Sequence, residues 1–221
     1  MRPLTLHTPK PLLSFAGKTA LEHLFLALPK EIDEVIIVVK YLEEQIRRYC
    51  GSQFLGRSVS YRKGSSEGNA LGLLNARDAF GANERFALAY GDEFITSSEV
   101  AECLTLRYSW LCYTVPDPTS VGIATLDDKG YIRDVIEKPK HSSSNLAADG
   151  FMVIDASIFS YQPERHGNGE YYISDLMKQF IAEHDVRAAI GSKYHGQLGT
   201  PADLERLEKR YYEMIKEEQN A

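Results

Sequence analysis

The sequence predicts an α/β domain with an inserted, partly antiparallel lobe, and three observations predict it. Short apolar runs alternate with stretches of helical periodicity in the first half, as residues 34–39 do with 41–49. Hairpin signals mark the second half, where Asp127-Asp128-Lys129-Gly130 separates two strand-like runs. A length of 221 residues with 43% apolar side chains fits one large domain or two small ones. The lack of a linker, an internal repeat or a low-complexity segment favours one.

In chain order, Leu21, Leu24, Phe25 and Leu28 recur at helical spacing, and Pro29 closes that helix. Glu34-Val35-Ile36-Ile37-Val38-Val39 is a continuous β-branched run, the pattern of a strand buried on both faces of a parallel sheet. A helix over 41–49, a strand near 59–61, a helix over 69–80 and an apolar strand over 86–90 continue the βαβ rhythm. Strands over 109–115 and 121–126 follow, then a hairpin return over 131–137, a strand over 151–154, a helix over 171–184 and a strand over 186–190. The last helix has a clear start, with Thr200 as N-cap, Pro201 at the first helical position and Asp203 near the third. Its charged tail, 205–218, reads as a solvated face.

A net charge of −6 disfavours nucleic acid and anionic membranes as partners and points to small molecules. Cys50, Cys103 and Cys112 are odd in number and show neither CxxC nor zinc spacing, which suits reduced thiols. No run approaches ~18 apolar residues and no signal-peptide pattern precedes a cleavage site, so the expected compartment is the cytoplasm. The sequence leaves a homo-oligomer open.

Few side chains stand where chemistry is done. Gly91-Asp92 follows the apolar strand 86–90, and open α/β sheets place ligands at such carboxyl ends. Asp92 is suited to a divalent cation there, although a strand-end aspartate caps a turn about as often. Lys10 lies between two prolines that fix the loop and aim its ammonium, as a phosphate contact needs; a solvated loop lysine reads equally well. Glu137-Lys138-Pro139 repeats this device at the end of the hairpin strand, where a surface ion pair is the alternative. The small-residue loop 64–70 enters a helix, so its backbone can approach a phosphate or a base, as many ordinary helix starts also do. His23, His141, His166, His184 and His195 show no ligand spacing and read as structural or surface residues.

Taken in order, RPLTLHTPKPLL, EVIIVV, EGNALGLLNA, LAYGDEF, DPTSVGIATLDDKGYIRDVIEKP, DGFMVID, GEYYISD and GTPADL resemble the sugar-phosphate nucleotidyltransferases, such as the glucose-1-phosphate thymidylyltransferases and mannose-1-phosphate guanylyltransferases. The resemblance covers nearly the whole chain. It implies a Rossmann-like fold, a mostly parallel sheet with helices on both faces, and a small partly antiparallel sugar-side lobe. The nucleotide-side half would be 1–115, the sugar-side half 116–199 and the C-terminal helix 200–221. It also implies a Mg2+-dependent reaction in which a sugar 1-phosphate oxygen attacks the α-phosphorus of a nucleoside triphosphate, giving a nucleotide sugar and pyrophosphate. By position, Lys10 and Asp92 take the catalytic places, Lys10 at the triphosphate and Asp92 as first magnesium ligand. Gly68, Asn69, Ala70 and Gly91 fall on the nucleotide side. Glu137, Lys138 and Gly150 fall where the sugar and its phosphate are held.

Three departures from the family pattern stand out. The family opens with a strand and a GxGTR loop directly before the PLT segment, and Met1 falls just after that arginine. The expectation is therefore a missing first central strand, a Met1 internal to a longer reading frame and a chain incomplete for catalysis. A second magnesium-ligand aspartate is replaced by Gln197, and an asparagine near the sugar by Ala148. Three readings follow: nucleotidyl transfer to a sugar 1-phosphate, a non-catalytic sugar-nucleotide-binding or regulatory homologue, and a cytidylyltransferase acting on a non-sugar phosphate such as phosphocholine.

Overall fold

The β-branched run folds as strand β1 (Glu34–Val39) and pairs in parallel with β2 (Arg57–Lys63), so that Glu34 faces Ser58 and Val39 faces Lys63. Our computed structural model describes residues 1–220, and of Asp149 the backbone alone; Ala221, at the end of the expected C-terminal helix, lies outside the described residues. A larger, six-stranded sheet holds β3 (Arg85–Leu88), β4 (Ser109–Thr114), β5 (Gly122–Leu126), β6 (Ile132–Glu137), β7 (Leu146–Asp155) and β8 (Arg187–Ile190), and the remaining strands are two residues long. Its order is β6-β5-β7-β4-β8, with β3 also on β7. β4 and β8 are parallel, whereas β7 runs antiparallel to β3, β4 and β5, so the sheet is mixed.

β7 is where the path forks. Ala147 faces Ile123 of β5, while residues 152–155 face 88–85 of β3, and the register shifts between Ala148 and Met152. Successive β7 side chains point to opposite faces. Phe151 and Val153, with Leu111, join Leu21, Leu24 and Phe25 of α1 (Ala20–Ala27) and Val100 and Cys103 of α4 (Ser97–Thr105). Met152 and Ile154, with Trp110 and Cys112, pack on Ile173, Leu176, Met177 and Phe180 of α5 (Ile173–Glu183). Helices thus cover both faces, as expected.

Two helices differ from expectation. α3 runs only over Asn69–Leu74 and gives way to a 3-10 turn at Arg77–Ala79, because the Asn75 side chain donates to the Lys63 carbonyl (2.9 Å) and draws the chain onto β2. α4 was not anticipated, although Thr96 and Glu99 form its capping box, with the Thr96 N–H donating to Glu99 Oε2 at 2.7 Å. Between α1 and β2 lies α2 (Glu43–Cys50), near its predicted place. α6 (Pro201–Gln219) starts as predicted, the Gly199 and Thr200 amides both donating to Asp203 Oδ2 at 2.8 and 2.6 Å. Leu207 on α6 closes a small core with Leu13, Phe15, Phe94 and Leu198. Among the described residues no helix is long and apolar enough to cross a membrane.

β1 is less buried than its composition predicts, Val38 being 38% exposed. The cause is pairing: β1 bonds only to β2 and β3 only to β7, so among the described residues each keeps an unpaired edge. Both strands nonetheless lean on one core, through Val35 and Ile37 of β1 and Ala87 of β3.

Candidate functional site

Two cavities hold the four charged residues singled out, Lys10 and Asp92 in one and Glu137 and Lys138 in the other. The first, of about 470 Å3, opens at the carboxyl ends of β1 and β3 and is lined by Arg2, Lys10, Lys40, Tyr41 and Asp92, with Val38 and Val39 at its base. Lys10 and Asp92, separated by 82 residues, meet there with Nζ 3.1 Å from Oδ2. Pro9 and Pro11 frame Lys10 as the sequence suggested, and Gly91 lets that loop close: a Cβ on Gly91 would stand 3.2 Å from the Pro11 ring. Gln197 pairs opposite Glu93, and the Leu198 amide donates to the Asp92 carbonyl at 2.9 Å, so the position of the expected second ligand does lie beside Asp92. Arg2 and Lys40 were not anticipated. Lys40 could have been found from its place directly after β1, the same strand-end argument that selected Asp92.

The second cavity, of about 220 Å3, is lined by Glu137, Lys138, His166, Asn168 and Tyr172. Glu137 accepts from Ser174 Oγ at 2.8 Å and stands 3.7 Å from Lys138 Nζ. Lys138 has a left-handed backbone, φ +44°, which a side chain followed by proline adopts only at a cost of ~1–3 kcal/mol. Burial opposes charge on Lys138, but the Tyr172 hydroxyl and the Glu137 carboxylate outweigh it and hold its pKa above the usual lysine value. His166, read as structural from sequence, lines this cavity and bonds Asp175 through Nε2 at 3.0 Å. The only sequence signal for this wall was the turn-rich string Gly167-Asn168-Gly169.

The remaining candidates line neither cavity. Gly68 has φ +122° and lies against the Tyr171 backbone, where a Cβ would come 2.1 Å from the Tyr171 carbonyl oxygen. The Ala70 amide donates to that oxygen, and Asn69 Oδ1 accepts from the Ile173 amide. Gly150, with φ +80°, sits in the irregular part of β7, where a Cβ would stand 2.8 Å from Glu93 Oε2 and 3.1 Å from His195 Cε1. His195 is buried against the Tyr113 ring at 4.1 Å, and burial lowers its pKa, so it is neutral at pH 7. Ala148 is buried in the core. The three cysteines are free and buried; burial pushes Cys50 and Cys103 up to about 11 and Cys112 further, which leaves them unreactive thiols at neutral pH.

Known proteins resemble this chain in sequence and fold. The sequence model of the family described as Nucleotidyl transferase matches residues 1–213. A glucose-1-phosphate thymidylyltransferase of Streptomyces griseus is 30% identical over 92% of this chain and 60% of its own length. A UTP–glucose-1-phosphate uridylyltransferase of Haloferax volcanii is 27% identical over 96% of this chain and 92% of its own. The bifunctional protein GlmU of Methanocaldococcus jannaschii is 29% identical over 92% of the chain, which spans only 49% of that relative. A solved Bacillus anthracis structure, assigned provisionally as a glucose-1-phosphate thymidylyltransferase and holding sucrose, superposes with a TM-score of 0.78 at 25% identity, over 95% of this chain and 89% of its own. With the motifs in order along the chain and the fold in common, the chain belongs to the nucleotidyl transferase family, among its sugar-phosphate members.

Proposed function

We propose that the protein transfers a nucleotidyl group from a nucleoside triphosphate to a sugar 1-phosphate, with the triphosphate in the first cavity and the sugar phosphate at Glu137 and Lys138. The observation that carries this is the meeting of Lys10 with Asp92 at 3.1 Å in a cavity that also presents Arg2 and Lys40. In the reaction a phosphate oxygen of the sugar 1-phosphate forms a bond to the α-phosphorus while the bond to the β-phosphate oxygen breaks, and pyrophosphate leaves with those electrons. Negative charge builds on the phosphoryl oxygens, so fixed cations nearby lower the barrier. Lys10 exchanges its contact with Asp92 for a phosphate oxygen, and Lys138 holds the attacking phosphate. Glu137, fixed by Ser174, accepts from a sugar hydroxyl.

Magnesium suits the donors present: Asp92 supplies a carboxylate and Gln197 a neutral amide, and Mg2+ commonly takes one or two carboxylates with water and substrate phosphates completing its shell. Among the described residues no three His, Cys, Asp or Glu side chains converge, so most of that shell would come from the nucleotide. Bound there, the ion would neutralise charge on the phosphates. The unreactive thiols support a reducing compartment such as the cytoplasm.

Gln197 and the apolar Ala148 favour a second reading, a binding homologue without turnover. Titration of nucleoside triphosphates and hexose 1-phosphates with Mg2+, followed by a pyrophosphate-release assay, separates the two. Lys10→Met is expected to weaken the triphosphate and Lys138→Met the sugar phosphate, each by about tenfold or more for a lost charged contact. Binding without pyrophosphate release that persists when a GxGTR segment is joined ahead of Met1, and in Gln197→Asp, selects the binding homologue; release with phosphocholine selects the cytidylyltransferase, and no binding of either substrate refutes all three.

A further inference from the structure

The two cavities are joined by a strap. The loop 64–70 starts at the first cavity, where the Gly64 amide donates to the carbonyl of Val39, a residue of its wall (2.7 Å). Its other end is tied to residues 171–173 by three hydrogen bonds: Tyr171 N–H to the Glu67 carbonyl at 2.7 Å, Ala70 N–H to the Tyr171 carbonyl at 3.2 Å, and Ile173 N–H to Asn69 Oδ1 at 2.9 Å. Gly68 is the only residue type that fits so close to Tyr171, given its φ of +122° and an added Cβ 2.1 Å from the Tyr171 oxygen.

Between those tied backbone groups stands Tyr172. Its hydroxyl accepts from Lys138 Nζ at 3.1 Å and from Asn168 Nδ2 at 2.6 Å, and donates to Glu170. Lys138 Nζ also lies 4.5 Å from the centre of the Tyr172 ring, close enough for a cation–π contact. The hydroxyl thus has three hydrogen-bond partners, while Lys138 stands on a strained, left-handed backbone. The path is contiguous: Val39, Gly64, the loop, residues 171–173, Tyr172, Lys138.

We propose that Tyr172 is the positioning residue for Lys138, and that the loop 64–70 fixes Tyr172, so that occupation of the triphosphate cavity changes the affinity of the phosphate site on Lys138. This rests on the reading of the second cavity as the sugar-phosphate site. Linkage makes the coupling reciprocal and therefore measurable from either side.

The test is calorimetry on the whole chain with glucose 1-phosphate as probe, alone and with a saturating non-reactive α,β-methylene nucleoside triphosphate. The unsubstituted protein is expected to change its glucose 1-phosphate affinity at least about fivefold when the triphosphate analogue is bound, which corresponds to a coupling of ~1 kcal/mol or more. Tyr172→Phe, which keeps the ring, is expected to weaken glucose 1-phosphate about tenfold, the worth of a hydrogen bond to a charged group, and to leave analogue affinity unchanged. Asn168→Ala, on the exposed side of the same hydroxyl, gives a smaller loss in the same direction and serves should the first variant misfold. Adding Tyr172→Phe to Lys138→Met should cost nothing further. Equal glucose 1-phosphate binding by Tyr172→Phe, or parallel losses for both ligands, would reduce Tyr172 to a structural role and overturn the proposal. A coupling factor of one overturns the strap. Failure of the unsubstituted protein to bind glucose 1-phosphate overturns the reading of the cavity, and the proposal falls with it.

Discussion

Replacing Gly68 by alanine tests the joint between the loop and residues 171–173 in isolation from any substrate. A Cβ at that position would stand 2.1, 2.6 and 2.8 Å from the oxygen, nitrogen and carbonyl carbon of Tyr171, all backbone atoms that cannot swing aside. The segments must separate, and the three hydrogen bonds between them lengthen or break. At roughly 0.5–1.5 kcal/mol each, with ~1–3 kcal/mol for alanine at a φ only glycine tolerates, the loss is about 3–7 kcal/mol. A domain stable by ~5–15 kcal/mol would keep only part of its margin. Gly130→Ala is the control, because Gly130 also has positive φ (+80°) but nothing within 4 Å of its added Cβ, so it carries the backbone strain alone. Urea unfolding of both variants gives the difference directly, and at roughly 2–4 °C per kcal/mol thermal melting should show Gly68→Ala at least about 6 °C below the parent. A loss for Gly68→Ala no larger than for Gly130→Ala would refute the reasoning.

Gly150→Ala should also destabilise, since its Cβ would press on the buried Glu93 carboxylate at 2.8 Å; a melting temperature within 1 °C of the parent at roughly the precision of the method would contradict this. Hydrogen exchange should find the amides on the unpaired edges of β1 and β3 exchanging fast, while those of β7 and β4, paired on both sides, are slow; uniform protection across all four strands would mean the two edges are covered. Acid stability should depend on Asp155. Burial works against its charge, but hydrogen bonds from Ser157 and Tyr108 outweigh burial and hold its pKa below the usual carboxylate value. A depressed folded-state pKa contributes stability that is present above the unfolded value of about 3.9 and is lost as pH falls through the folded value. The urea midpoint should therefore drop on acidification below about pH 4, and Asp155→Asn should flatten that drop.

What the sequence showed and what it hid divide by distance along the chain. α6 was legible because its start is written in neighbours: Thr200, Pro201 and the Asp203 carboxylate that accepts from two amides directly before the helix. β1 was legible as a strand from six consecutive residues, yet its exposure was not, because burial of a strand depends on what lies beside it. α3 was read too long since nothing near Asn75 reveals that its side chain reaches back to Lys63 of β2. α4 could have been read, and Thr96 with Glu99 was the signal.

The candidate site follows the same division. Lys10 and Asp92 were selected separately, one for its prolines and one for its strand end, and only the fold shows that they meet. Residue types alone could not say why Gly68 must be glycine. A small-residue loop before a helix reads as a ligand cradle, but here its amide at Ala70 is consumed by the Tyr171 carbonyl and its glycine is required by that backbone. The proposed strap gives the loop an indirect part in function. A loop that spends its hydrogen bonds on residues 171–173 cannot offer them all to a nucleotide, but those bonds flank Tyr172, which contacts Lys138. Whether Gly68 acts through contact with the base or through Tyr171 is decided by the glucose 1-phosphate affinity of a loop variant: contact with the base alone leaves that affinity unchanged, whereas the strap lowers it.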